Sequence, residues 1–289
     1  MRRMFALLGL LLCVAVEARA QAQTATPQAY ATCTRAELQA AADSYVAAQK
    51  AGDPSKMALD DKAAFLENMA AIEKGIALWN TALPVALSRS VLDATRCKTF
   101  TEVIVTEGSH QYVIGTRLYV DKGKITRVDS LVTDKGDWLF NANAYLKYSK
   151  DEDWTAPPPA ARVPAQELIN AANSYLDLFS DKFVKVPWGR PCARLEGGAY
   201  SNRNNDSNAT CEVGIPAGVL YIVNRDYVVD ADAGIINVYC RFGNSSTGMP
   251  DSHTFRFVNG TLTNVHTLSV NLNPNAPSPQ ADDNGVILR

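Results

Sequence analysis

The chain has 289 residues, of which 47% are hydrophobic and 20% are charged, and its formal net charge is −2. This share of apolar side chains excludes a largely disordered protein. The near-balanced charge leaves no basic field to hold phosphates, so we expect no nucleic-acid partner. The length allows one large domain or two ordinary ones.

The first twenty residues have the pattern of a secretory signal peptide. Arg2-Arg3 precedes an apolar run from Met4 to Val16, and Ala18-Arg19-Ala20 then matches the small-x-small cleavage pattern. The run is too short to span a bilayer as a helix, and no other stretch is long enough. We therefore expect a secreted, extracellular protein with no membrane partner.

The rest of the sequence contains one pattern twice, which indicates two copies of the same unit. The segment from Glu37 to Tyr45 recurs from Glu167 to Tyr175, with Glu, Leu, Ala, Ala, Ser and Tyr at matching places. Near the end of each half a strand–turn–strand pattern surrounds a glycine, Gly123 or Gly260. A helix first and a hairpin last, in both halves, indicates a tandem duplication.

The predicted elements follow this division. In the first half we predict helices at Thr34–Ala51 and Pro54–Ile76, then strands at Ser88–Leu92, Thr99–Thr106, Gln111–Val120 and Ile125–Thr133. In the second half we predict one helix at Ala165–Phe179, then strands at Gly218–Asp230, Ile235–Phe242, His253–Val258 and Leu262–Leu272. Helices followed by a curved antiparallel sheet predict an α+β fold in each half.

The domain boundaries follow from composition. A charge cluster and the prolines 157–159 predict a stiff linker between the halves. The predicted segments are a signal peptide at 1–20, a flexible N-terminus at 21–32, a first unit at 33–149, a Pro-rich linker at 150–163, a second unit at 164–272 and a flexible tail at 273–289.

Cysteines and sequons agree with secretion. One of the six cysteines lies in the signal peptide, and an odd remainder indicates two disulfides and one thiol. Keeping each bridge within one half pairs Cys33 with Cys97 and Cys192 with Cys211, and leaves Cys240 as a buried thiol. Four Asn-x-Ser/Thr sequons predict N-glycosylation at Asn205, Asn208, Asn244 and Asn259.

The helix motif Ala42-x-x-Tyr45-x-x-Ala48, followed by Gly52-Asp53 and then strands, resembles the nuclear transport factor 2-like fold, also called SnoaL-like. The mature chain as a whole is similar to a family of secreted, mostly fungal proteins with two such units. That match rests on segments such as Cys33–Leu38, Tyr45–Gly52, Pro191–Gly198, Cys211–Pro216 and Pro250–Arg256.

The resemblance implies a fold more than a function. It implies that each sheet curls around its helices into a cone with an apolar pocket for a small organic molecule. Because such units dimerise sheet to sheet, it also implies a monomer built as an internal pseudo-dimer. The fold includes cyclases, dehydratases, isomerases and plain binding proteins, so it only narrows the list of activities.

Two histidines are the leading candidates for acid–base chemistry. By strand alternation His253 shares a face with phenylalanines and His266 with Leu268, so we expect both imidazoles on one concave face. Asp251, two residues before His253, could orient its ring. The alternative is a pair of core histidines with satisfied hydrogen bonds. We expect no metal, because no closely spaced ligand set such as His-x-x-x-His occurs.

A second group of polar residues follows Cys192. Alternation places Arg194 and Glu196 on one face, either as a structural ion pair or as a pocket pair that binds a ligand together with Tyr200. The following Gly197-Gly198 permits a close approach of another backbone.

We predict a secreted, cofactor-independent enzyme that dehydrates, isomerises or cyclises a small organic molecule. Its catalytic residues would be His253, His266 and Asp251. The alternatives are a secreted carrier for an apolar small molecule and a protein-interaction module. The sequence leaves open which half holds the site.

Overall fold

A computed structural model of the chain describes residues 32–212, 214–273, 275 and 277–288. The predicted signal peptide lies outside the described residues. The α-helices are α1 (Arg35–Ala51), α2 (Ala142–Asp151) and α3 (Ala165–Asp177), with short 3-10 helices at Pro54–Lys56, Ala77–Asn80 and Pro159–Ala161. The first sheet contains β1 (Leu59–Glu67), β2 (Ala70–Ile72), β3 (Val85–Asp93), β4 (Lys98–Val105), β5 (Tyr112–Asp121) and β6 (Lys124–Thr133). The second contains β7 (Trp188–Glu196), β8 (Ala199–Tyr200), β9 (Ile222–Asp230), β10 (Ile235–Phe242), β11 (Met249–Val258) and β12 (Thr261–Ser269). A small hairpin of β13 (Gln280–Ala281) and β14 (Ile287–Leu288) follows.

The two sheets have the same topology. Their strand orders are β2-β1-β6-β5-β4-β3 and β8-β7-β12-β11-β10-β9, so each half is a helix, a hairpin and a four-strand meander. This confirms the predicted class of two tandem α+β units. The sheets are mixed, because β1 pairs in parallel with β6 and β7 with β12, whereas we expected antiparallel sheets.

The second helix predicted for the first half is wrong. Its span contains a 3-10 turn and the hairpin of β1 and β2. The alanines there favour a helix locally, but β1 pairs with β6 and buries Phe65 in the core, and this distant pairing overrides local preference. The prediction also missed β7 and α2, although Asn141 caps α2 as its sequence could have indicated.

Each long helix packs on one face of its own sheet, which we call the inner face. Helix α1 buries Leu38 and Tyr45 there, and α3 buries Leu168 and Tyr175 at the equivalent places. Thr34 caps α1 in a capping box, as expected. Among the described residues, no helix has both the length and the apolar character needed to cross a membrane.

The opposite faces of the two sheets pack against each other, and we call this interface the seam. Apolar side chains from both halves meet there, among them Phe100 and Tyr239, whose ring centroids lie 6.2 Å apart. Asp226 of the second sheet accepts hydrogen bonds from Lys98 and Arg117 of the first, each at 2.7 Å. The chain thus forms a two-sheet pseudo-dimer, as the resemblance implied.

Both expected disulfides are present. Cys33 is bonded to Cys97 in the first half and Cys192 to Cys211 in the second, while Cys240 is a buried free thiol.

The predicted linker and tail make more contacts than their composition indicated. In the linker, Trp154 packs against Arg89 and against the ring of His266. In the tail, the backbone carbonyl of Gly285 accepts a hydrogen bond from Tyr200 at 3.0 Å. The domain boundaries themselves remain predictions.

Candidate functional site

Four of the polar residues singled out in the sequence project from the inner face of the second sheet. His253 of β11 lies opposite Thr267 of β12, which in turn lies opposite Glu196 of β7. Side chains opposite each other share a face, and residues two apart on a strand do too. Asp251 and Arg194 therefore join this row beneath α3.

Asp251 holds the imidazole of His253. The Nδ1 atom of His253 lies 3.2 Å from Oδ2 of Asp251, and His253 is only 2% exposed. The other carboxylate oxygen accepts hydrogen bonds from the Ser269 hydroxyl at 2.8 Å and from the Ser252 backbone N–H at 3.0 Å. Because the carboxylate fixes Nδ1, Nε2 is the ring atom left to exchange a proton with a ligand.

Cys240 lies beside this dyad. Its Sγ atom is 3.7 Å from Oδ2 of Asp251 and 4.0 Å from Nδ1 of His253. Burial, followed by the charge of Asp251, raises the pKa of the thiol well above its usual value, so Cys240 is a poor nucleophile.

These same three side chains could also hold a metal ion. Their ligand atoms lie within 4.8 Å of one another, and a thiol, a carboxylate and an imidazole suit zinc. The sequence did not indicate the group because Cys240 and Asp251 are neighbours only across the β10–β11 pairing. The distances equally fit a hydrogen-bonded dyad beside a protonated thiol.

Arg194, Glu196 and Tyr200 surround a pocket of about 280 Å³ at the edge of the second sheet. An Nη2 atom of Arg194 donates to Glu196, whose other oxygen accepts from Nε1 of Trp138 at 2.8 Å. Arg194 is 5% exposed, and Ile287 of β14 also lines the pocket. The pocket therefore offers a fixed charge pair beside apolar surface, which suits a small molecule with one polar oxygen end.

Sequence reasoning overlooked Tyr175 as a functional residue and used it only to mark the repeat. Its ring lies 5.7 Å from that of His253, and its buried hydroxyl has no hydrogen-bond partner among the described residues. The matching Tyr45 accepts a hydrogen bond from Thr116 at 2.7 Å. Burial raises the pKa of Tyr175 to about 12, against the opposing effect of Arg194, so the hydroxyl stays a donor.

His266 is on the other face of the sheet, and the expectation that both histidines share one face is wrong. His266 lies opposite Thr254, whereas His253 lies opposite Thr267. Because adjacent residues of a strand point to opposite sides, His253 faces the inner core and His266 faces the seam.

At the seam, His266 lies between two buried carboxylates. Its Nδ1 atom is 3.1 Å from Oε2 of Glu102, and its Nε2 atom is 2.5 Å from Oε2 of Glu152. Arg89 lies 3.4 Å from Glu102, so the four groups can balance their charges. Both ring nitrogens are engaged, so His266 joins the two halves and is not free to act as a base.

Tyr200 also departs from the expected arrangement. It lies opposite Leu195, on the face away from Arg194 and Glu196, and its ring stacks on that of Tyr148 at 4.1 Å. It still reaches the rim of the Arg194–Glu196 pocket, because β8 is only two residues long.

The His266 cluster makes stability depend on pH. Burial lowers the pKa of His266, but Glu152 and Glu102 outweigh it and raise the pKa to about 9. Burial raises the pKa of both glutamates, but the charge of His266 outweighs it and lowers them. Because the pKa of His266 is raised, its protonated ring stabilises the fold fully below the ordinary pKa of 6.5. This stabilisation is lost as the pH rises through the folded-state pKa of about 9. Because the pKa values of the two glutamates are lowered, their ionised carboxylates stabilise the fold above the ordinary pKa of 4.5. This stabilisation is lost as the pH falls through their folded-state pKa values.

We therefore expect the difference in the free energy of unfolding between wild type and His266→Ala to be greatest between pH 4.5 and 6.5 and to shrink as the pH rises from 6.5 to about 9. Urea denaturation of both proteins across pH measures this difference. A difference that stays constant from pH 6 to about pH 10 would contradict the charged cluster.

The close approach expected at Gly197-Gly198 is present. A Cβ atom on Gly197 would lie 2.2 Å from the backbone oxygen of Trp138, and the residue has a φ of +63°. Gly123 has a similar φ of +75° with no neighbour within 4 Å.

We expect Gly197→Ala to lower the free energy of unfolding by ~1–3 kcal/mol more than Gly123→Ala does. Both substitutions strain the backbone, but only the first also pushes against another backbone segment of the same chain, at Trp138. Chemical denaturation of the two variants measures the difference. Equal losses of unfolding free energy in the two variants would show that the close approach to Trp138 does not affect stability.

Comparisons with known proteins match parts of the chain. Residues 161–269 match the family model of a domain of unknown function, DUF8021. A solved structure, an NTF-2 like protein of unknown function from Burkholderia xenovorans LB400, aligns with 34% of this chain and 84% of its own. The two are 15% identical, with a TM-score of 0.28. No curated protein matches the chain. These matches bring no activity with them.

Proposed function

We propose that the chain is a secreted enzyme that performs cofactor-independent acid–base chemistry on a small organic molecule, and that its second unit carries the site. Dehydration, isomerisation and cyclisation are the reaction classes that need only proton transfer and positioning. The two disulfides support secretion, since such bonds persist in oxidising compartments. All four predicted glycosylation sites are exposed, which supports their use.

The observation that carries this proposal is a difference between the halves at matching positions. Paired residues Val103–Ile114 and Phe65–Val128 of the first sheet correspond in register to Cys240–Asp251 and Arg194–Val265 of the second. Thr116 corresponds in the same way to His253. At four of these positions the first unit has apolar or hydroxyl side chains, whereas the second has ionisable groups; Glu196 is matched by Glu67 in both register and type. Because buried ionisable groups are costly, their concentration in one copy favours a functional role.

The chemistry follows from the positions of the groups. In this scheme Nε2 of His253 removes a proton from a carbon next to a carbonyl, and Asp251 stabilises the imidazolium that forms. Arg194 and Glu196 anchor a polar end of the substrate. The unpartnered hydroxyl of Tyr175 donates to the developing oxyanion.

One observation favours the alternative of a non-catalytic binding protein. His253 is 2% exposed and does not line the pocket beside Arg194 and Glu196. A ligand in that pocket would reach His253 only if the side chains that bury His253 moved. Without such a movement the same pocket would bind its ligand unchanged.

The test uses the secreted, oxidised protein and a panel of β-hydroxy ketones, enones and β-keto esters. Incubation followed by mass spectrometry separates compounds that are converted from compounds that are retained unchanged. Conversion that is lost in Glu196→Gln supports the enzyme, and retention without conversion supports the binding protein. Metal analysis of the same sample would detect stoichiometric zinc, which would replace the dyad by a metal site.

A further inference from the structure

A second cavity, of about 450 Å³, lies outside the inner face, where α2 meets the edge of the second sheet. The stacked rings of Tyr148 and Tyr200 form part of its wall, so both halves contribute to it. The remaining wall is polar, with amide side chains such as Asn264 and several charged groups. The proposed acid–base chemistry assigns no role to these residues, although Tyr200 and Arg203 line both this cavity and the pocket beside Arg194 and Glu196.

Glu152 gives this cavity a buried carboxylate with one unused oxygen. Its side chain is 3% exposed, and its Oε2 atom accepts hydrogen bonds from His266 at 2.5 Å and from Nε1 of Trp154 at 2.9 Å. The Tyr200 hydroxyl and the Asn264 amide interact with this carboxylate, but neither makes a hydrogen bond of good geometry to Oε1 among the described residues. A buried acceptor whose donors are poorly placed is costly, and a well-placed hydroxyl group of a ligand would satisfy it.

Two arginines on the rim form no ion pair with a described carboxylate, although Asp151 and Asp153 also line the cavity. Nη1 of Arg190 donates to the backbone oxygen of Asn208 at 2.8 Å. Nη1 of Arg203 donates to the backbone oxygens of Tyr200 at 2.8 Å and of Gly285 at 3.1 Å. Backbone carbonyl oxygens orient a guanidinium group but do not neutralise its positive charge, so each arginine is positioned to bind an anion.

These features together specify one class of ligand. An acceptor in the cavity calls for a hydroxyl donor, and the arginines on its rim call for a carboxylate on the same molecule. Aromatic rings in the wall suit the C–H face of a sugar ring. We propose that the cavity at the α2 edge binds a hydroxylated carboxylate of the sugar-acid type, with its carboxylate on Arg190 and Arg203 and a hydroxyl on Glu152.

The probes are D-glucuronate, D-glucose, which lacks the carboxylate, and acetate, which lacks the hydroxyls. Isothermal titration is run on the oxidised full chain after removal of N-linked glycans, because the Asn205 sequon lines the cavity. We expect saturable binding of glucuronate, at least about tenfold tighter than that of glucose or acetate. Glucose binding as tight as glucuronate, or no saturable binding of glucuronate, would overturn the proposal.

Variants then locate the site. The double variant Arg190→Gln, Arg203→Gln is expected to weaken glucuronate binding at least about tenfold, since each change removes a charge-assisted contact. Lys124→Gln removes an exposed positive charge from the first sheet and is expected to leave binding unchanged. Equal binding by the double variant and the control would overturn the assignment. Arg203 also lines the pocket beside Arg194 and Glu196, whereas Arg190 lines only the second cavity, so the single variant Arg190→Gln keeps the outcome distinguishable from the proposed acid–base chemistry.

Discussion

Replacement of His253 by glutamine is expected to lower the rate of substrate conversion by ~10²–10⁴-fold, the usual contribution of a general base. Glutamine retains a donor that can reach Asp251 but cannot accept and release the proton. We therefore expect the free energy of unfolding to stay within about 1 kcal/mol of wild type. Conversion rates on any substrate found with the carbonyl panel, together with urea denaturation of the variant, measure both quantities.

His110→Gln is the matched control for this substitution. His110 is exposed, and its Nε2 atom lies 2.9 Å from Asp134 on a surface of the first half. Its loss should leave conversion unchanged. If His253→Gln converted the substrate at the wild-type rate, His253 would not be the general base and another group would have to act in its place.

Replacement of His266 by alanine is expected to lower the free energy of unfolding by ~3–5 kcal/mol at pH 6. The substitution leaves Glu102 and Glu152 buried at the seam without the imidazolium that balances them. An uncompensated buried charge costs far more than the loss of an exposed pair. Chemical denaturation at pH 6 measures the effect.

His110→Ala again supplies the control. It removes an ion pair that is also formed by a histidine and a carboxylate, but one that is exposed to solvent. We expect a loss of only ~0–1 kcal/mol there. Similar losses in the two variants would contradict the view that His266 holds the two halves together.

Local signals made α1 and most strands predictable. Thr34 caps α1 and the apolar spacing that includes Leu38 and Tyr45 keeps helical period, so no distant contact was needed to identify the helix. The strand β1 carries no comparable signal, since it owes its conformation to pairing with β6 about sixty residues later.

The candidate site was predictable only where one strand defines it. Alternation along a single strand placed Asp251 beside His253 and Arg194 beside Glu196, and the structure brings both pairs together. It could not place His266, because apolar side chains cover both faces of the second sheet, one in the core and the other at the seam. An apolar neighbour therefore does not reveal which face a residue occupies.

The contacts between the two halves could not be predicted from the spacing of residues along the sequence. The partners of His266 are Glu102 in β4 and Glu152 just after α2, more than one hundred residues away in sequence. Nothing in the local sequence of either glutamate distinguishes it from a solvated carboxylate. Only the packing of one sheet on the other brings the three together.

Solvent deuterium exchange tests the central claim, acid–base chemistry on the inner face of the second unit, most directly. Carbonyl compounds from the panel that the protein binds are incubated with it in D₂O, and their C–H signals are followed by NMR. We expect wild type to replace a hydrogen next to the carbonyl by deuterium, and His253→Gln to slow this exchange by ~10²-fold or more. Binding without any exchange or conversion would contradict the claim and identify the protein as a small-molecule carrier.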